Sequence, residues 1–133
     1  MIQIGNIYHF WCNFTNPQKE KFLICVGNQP VEFFIINSAI HPFIAGKPPL
    51  AVQQVLLPAN DHAFLTHDSW INCSETVSVT DASDQLLADA MCDKGPASRD
   101  VCESLITVVG ASATLADIRI TRIVANLGTL LAA

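Results

Sequence analysis

Lys21 stands at the entrance of an apolar run, Phe22 to Val26, and the pair Asn37-Ser38 lies just beyond a second run, Val31 to Ile36. Between the runs sits Gly27-Asn28-Gln29-Pro30, a tight turn composition, so the segment predicts a β-hairpin. A hairpin brings the start of its first strand beside the end of its second, which makes Lys21 and Asn37-Ser38 expected neighbours. An ammonium next to a hydroxyl and an amide suits a phosphate, through charge and through directed hydrogen bonds. The same residue types are also ordinary strand-end surface and turn formers, so the chemistry requires that they share an accessible surface.

A second group is His62, His67 and Asp68, flanking Phe64-Leu65. Imidazoles beside a carboxylate can hold a divalent metal or move protons. Their spacing matches no metal-site rule, however, and a turn in which Asp68 caps backbone amides explains them more simply. His41, directly before Pro42, follows Ser38 in a loop and is a candidate for contact with a ligand held there. Tyr8, Phe10, Trp11, Phe33, Phe34 and Trp70 could stack bases, although aromatics in short strands are more often core, and one or two are expected to face a ligand. No phosphate loop, nucleophile elbow or dinucleotide fingerprint occurs.

These residues need elements to hold them. Half of the 133 residues are hydrophobic and 14% are charged, enough apolar surface to offset chain entropy and form one domain. Strands are expected within Ile2 to Phe10, entering from a turn at Gly5 and Asn6, over the two runs of the hairpin, over Ala51 to Leu57, and from Ser69 through Cys73 to Val77 and Val79. His41 to Pro49, with three prolines and Gly46, is expected to be an irregular surface loop. Five close strands without intervening helices indicate a small barrel or sandwich, residues 1–80. Beyond it, helices are predicted over Gln85 to Cys92 with a stop at Lys94-Gly95-Pro96, from Ser98 with Val101, Leu105, Val108 and Val109 on one face, and from Thr114 and Asp117 to Gly128. Residues 81–133 thus form a helical appendage whose apolar stripes must cover the barrel or a second copy of the chain.

Net charge is −5, but residues up to His67 are balanced, with Lys19, Lys21 and Lys47 against Glu20, Glu32 and Asp61, and all four histidines lie there. The acidity belongs to the second half, so a phosphate-bearing partner is not excluded for the first. Five cysteines, an odd number without close pairs, read as reduced thiols in a cytosol, and no segment approaches the roughly 18 apolar residues of a membrane span.

The Gly-Asn-Ile-Tyr strand, the loop after it, Lys21 leading into Phe-Leu-Ile-Cys-Val, and Phe-Phe-Ile-Ile-Asn-Ser-Ala-Ile together resemble the MazF/PemK toxins of type II toxin–antitoxin systems, over about the first 80 residues. The resemblance implies an SH3-like small β-barrel that homodimerises, is neutralised by an antitoxin protein, and cleaves single-stranded RNA in the cytoplasm without metal or other cofactor, leaving a cyclic phosphate. It implies Lys21 and Ser38 as catalytic residues, Lys21 stabilising charge on the scissile phosphate and Ser38 bonding a phosphate oxygen. Asn37, His41 and His67 are the expected RNA contacts. Lys21 stands where the family normally has Arg, so the bidentate fork is lost. Two alternatives belong to other classes: a non-catalytic protein- or nucleic-acid-binding module on the same barrel, and a His-dependent metal hydrolase.

Overall fold

The computed structural model describes residues 2–12, 14–78 and 93–132. The expected helix over Gln85 to Cys92, and the end of the fifth strand at Val79, lie outside the described residues.

Among the described residues six antiparallel strands form one curved sheet, a half-barrel: β1 (Asn6–Cys12), β2 (Lys19–Asn28), β3 (Val31–Asn37), β4 (Gln54–Leu57), β5 (Ser69–Ser78) and β6 (Asp93–Pro96), in the spatial order β4-β5-β3-β2-β1-β6. The hairpin expected around Gly27 to Pro30 is β2–β3, with Phe22 opposite Ile36 and Leu23 opposite Ile35. The run Phe22 to Val26 is apolar throughout because both faces of β2 are covered. Alternate residues along the strands point to opposite sides. Ile7, Ile24, Val26, Phe34 and Ile36 pack on one face, and Tyr8, Phe10, Cys12, Leu23, Cys25 and Phe33 on the other.

Two helices cover the first face: α3 (Arg99–Gly110) and α4 (Asp117–Ala132), following the single-turn helices α1 (Pro42–Ala45) and α2 (Pro48–Ala51). Ser98 caps α3 by accepting the Val101 amide, as its sequence position suggests. Val101, Cys102, Leu105 and Val109 of α3, with Ile123 and Leu127 of α4, join the strand residues in one core. Truncating a fully enclosed side chain such as Leu105 to Ala would cost about 2–5 kcal/mol.

The structure departs from the sequence reading at several places. β1 runs from Asn6 to Cys12, two residues beyond the expected Phe10, and enters from a turn at Gly5, where φ is +87° and a β-carbon would meet Leu130 at 2.4 Å. Residues 41–49 are not irregular: prolines at the first turns of α1 and α2 preset the helical φ. Ala51 therefore ends α2, and β4 begins only at Gln54. Lys94-Gly95-Pro96, expected as a helix stop, lies in β6, which pairs with β1, Asn6 opposite Pro96. Part of the sheet thus comes from the second half of the chain. Helix α4 begins at Asp117, Thr114 giving its hydroxyl to the Ser74 carbonyl at 2.6 Å, and continues through Gly128 to Ala132.

A charged clamp holds α4 against the hairpin. Glu32 of β3 is fully buried, and Arg119 Nε approaches its Oε2 at 2.9 Å while Arg122 Nη2 donates to its Oε1. Asn126 of the same helix donates to the Val26 carbonyl at 3.1 Å. No helix of the described residues is long and apolar enough to cross a membrane.

Candidate functional site

At the end of the sheet where β2 and β5 begin and β3 ends, a cleft of about 390 Å³ opens. Its lining includes Lys21 of β2, Asn37 and Ser38 at the end of β3, His67 in the loop before β5, and His9 of β1. The β2–β3 register pairs Lys21 with Asn37, and strand alternation turns both side chains to the face of Phe10 and Cys12, opposite that of Phe22 and Ile36. Beyond the Phe22–Ile36 pair the next two residues are Lys21 and Asn37, and Lys21 Nζ donates to Asn37 Oδ1 at 2.5 Å. Ser38, one residue on, is exposed at the rim.

Lys21 is half-buried and has no carboxylate partner among the described residues. Burial, and then the neighbouring Lys19 charge, lower its pKa from the ordinary lysine value, with Cys12 opposing them. An ammonium desolvated in this way gains from an arriving anion more than a free surface lysine does.

His67 is exposed, and its Nδ1 lies 2.9 Å from the Asp68 carbonyl. A carbonyl can only accept, so the neutral ring carries its proton on Nδ1 and keeps a lone pair on Nε2. The carboxylate of Asp68 caps the Ala59 amide at 2.9 Å, the turn role expected for it.

His62 has a different office. It is buried, donates from Nδ1 to the Pro58 carbonyl at 2.7 Å and accepts the Ser98 amide on Nε2 at 3.0 Å. Both nitrogens are thereby used to pin the loop that carries His67 to the first residue before α3. His41 is not in the cleft either. Its Nδ1 accepts the Phe43 amide at 3.1 Å, so the exposed imidazole caps α1, apart from the residues that line the cleft.

The strand aromatics are mostly core, as expected. Tyr8, Phe10, Phe33 and Phe34 are sealed in the core, and neither Trp11 nor Trp70 lines the cleft. The rings that do are His9, Phe22 and Phe64, all half-buried. His9 stands directly opposite Phe22 in the β1–β2 register, its ring 4.4 Å from that of Phe22, and Phe64 lies 5.2 Å further on. His9 Nε2 also sits 3.9 Å from Glu20 Oε2. The β1–β2 register, which sets His9 opposite Phe22, brings it to the cleft, and no local pattern around His9 signals that pairing.

The chain matches no protein-family model and no curated protein.

Among the described residues no three His, Cys, Asp or Glu side chains converge as a metal ligand set. Cys12, Cys25, Cys73 and Cys102 are free and buried. The cleft therefore offers a cation, a hydroxyl, an amide and two imidazoles over an aromatic floor, a set suited to holding a phosphate ester and moving a proton beside it.

Proposed function

We propose that the chain is a metal-independent endoribonuclease that cleaves single-stranded RNA, acting as the toxin of a MazF/PemK-like toxin–antitoxin pair. The observation that carries this reading is the convergence of Lys21, Asn37, Ser38 and His67 on one open cleft. The six-stranded half-barrel is compatible with the SH3-like barrel that the short motifs around Lys21 and Ser38 suggest.

In the proposed reaction the ribose 2′-hydroxyl attacks the adjacent phosphorus while its proton passes to the free Nε2 of His67. The new O2′–P bond forms as the P–O5′ bond breaks, giving a 2′,3′-cyclic phosphate and a 5′-hydroxyl once the leaving oxygen takes up a proton. Lys21 offsets the charge that builds on the phosphoryl oxygens, and Ser38 donates a hydrogen bond to one of them. Asn37 holds the ammonium in place at 2.5 Å, which answers the mobility that a lysine has relative to an arginine. Homodimerisation, neutralisation by an antitoxin and action in the cytoplasm belong to the same proposal.

The test combines induced expression with a gel assay on single-stranded RNA in excess chelator. Growth arrest and chelator-resistant cleavage are expected from the parent chain, and neither from Lys21→Ala. A parent chain that leaves RNA intact, or a Lys21→Ala variant as active as the parent, would refute the reading. The binding-module alternative draws on Glu20, a carboxylate at the rim, which lowers the attraction for a polyanion. It is distinguished by RNA retention without cleavage.

A further inference from the structure

Among the described residues the sheet ends on β4 and on β6, and the two edges are built differently. β6 carries Asp93, Lys94, Pro96 and Gly95 at φ +89°, the charges, kink and missing donor by which an exposed strand avoids pairing with another chain. β4 reads Gln-Val-Leu-Leu, pairs with β5 without a bulge, and has none of these devices. Val52 just before it and Leu56 within it keep 69% and 40% of their exposure.

The outer side of β4 is unpaired. Cys73 donates its amide to the Gln53 carbonyl at 3.0 Å, and hydrogen-bonded pairs recur at every second residue of an antiparallel ladder. Val55 and Leu57 therefore bond β5, while the backbone groups of Gln54 and Leu56 point away from it. Among the described residues neither the amide nor the carbonyl of these two finds another partner.

Such an edge accepts an extended strand, and two observations point to that of a second copy. From Pro48 to Asn60 no residue is charged, in a chain of net charge −5, so two copies can meet here without the repulsion that their acidic surfaces bring. The edge is also its own complement. In an antiparallel pair with the two-fold axis at Val55, Gln54 lies opposite the partner's Leu56, and every free donor meets a free acceptor. Moving the axis one residue either way spoils the match. Gln54 then faces the partner's Pro58, which has no amide and whose carbonyl already accepts from His62, or Leu56 faces the partner's Val52, whose amide already bonds the Pro48 carbonyl.

We infer that β4 is an interface strand through which two copies join edge to edge, antiparallel about Val55, so that the two half-barrels share one continuous sheet. This gives the proposed homodimer a surface, at a place the motifs around Lys21 and Ser38 do not touch, and it does not depend on RNA cleavage. Leu56 stands opposite Trp70, Trp70 opposite Asn37, and Asn37 holds the Lys21 ammonium, so the row that begins at Lys21 runs to this edge and continues on the partner's Gln54. The contact is short, so a dissociation constant of about 1–100 μM is expected.

Sedimentation equilibrium of the intact chain from about 1 to 500 μM measures the association. Amide hydrogen exchange at both ends of that range locates it: Gln54 and Leu56 should slow with concentration, with Val55 and Leu57, already bonded to β5, as the reference. Leu56→Lys and, separately, Leu56→Pro set a charge or remove a donor where the backbone does not bond β5, so each should keep the fold by circular dichroism and raise the dissociation constant about tenfold or more. A parent chain monomeric throughout, its edge then left to a strand of another protein, overturns the inference. So does a dimer in which the Gln54 and Leu56 amides exchange as fast as in the monomer, or one whose dissociation is unchanged in the folded variants. A β4 dimer inert toward RNA supports the interface and sinks the ribonuclease, whereas RNA cleavage by a chain that fails these tests does the reverse.

Discussion

Removing the charged clamp from its two ends should have unequal consequences. Glu32 is fully buried, whereas the side chains of Arg119 and Arg122 retain 40% and 32% of their exposure. In Glu32→Gln the guanidiniums lose a partner but recover hydration by small rotations. Two half-exposed ion pairs contribute at most about 1 kcal/mol each after solvent screening, so the variant should lose about 1–2 kcal/mol. In Arg119→Met/Arg122→Met the stems are kept, yet the carboxylate is left under the helix with no route to water. An uncompensated buried charge costs about 3–5 kcal/mol. Urea unfolding followed by far-ultraviolet circular dichroism, with the slope held common, gives both differences. The double variant should have the lower midpoint by a clear margin. Equal midpoints, or a lower one for Glu32→Gln, would refute the reasoning, because they would mean that the arginines and not the glutamate carry the burden of desolvation.

Two further outcomes follow from shifted titrations. Burial lowers the Lys21 pKa, so the folded state resists its charge at pH values below the folded pKa, and that resistance is relieved as pH rises toward the unfolded value. Lys21→Met should therefore unfold at pH 7 with a midpoint equal to or above the parent's while losing phosphate binding, and the difference should shrink toward pH 10. A midpoint lower by more than about 1 kcal/mol would show that the bond to Asn37 outweighs desolvation. Burial also pushes the Cys25 thiol up to about 12, only partly offset by its contact with the Gly27 carbonyl. Its raised folded pKa leaves stability untouched below the ordinary thiol value and erodes it as pH rises from about 8.5 toward 12. Iodoacetamide at pH 8 should leave Cys25, Cys73 and Cys102 unmodified in mass spectra until denaturant is added.

The hairpin was legible because turn chemistry and two apolar runs agree, and with it the pairing of Lys21 with Asn37. The face of α3 was legible for the same reason, a cap at Ser98 followed by a regular apolar stripe. β6 was hidden, since Asp93-Lys94-Gly95-Pro96 has no strand propensity and is held only by tertiary pairing with β1. Gly128 misled because glycine is a good helix terminator, yet the end of α4 is anchored by Leu127 and by Leu130 lying against Gly5, so packing overrides propensity. In the site, residues close in the hairpin were found, and those joined by distant contacts were not. His9 reaches the cleft through the β1–β2 register, and His41 leaves it because a helix cap claims its nitrogen.

One imidazole, that of His62, bridges the loop bearing His67 and the start of α3. The rim of the cleft is consequently no independent flap but an extension of the helical layer. Lifting α3 from the sheet breaks the Ser98 hydrogen bond and frees the loop in the same event, so amide protection at Ser98 and at Leu65, which donates to the His62 carbonyl at 3.0 Å, falls together. The stability of the cleft's mouth is thus set by how firmly the helical layer sits on the sheet, at a distance from the cleft itself.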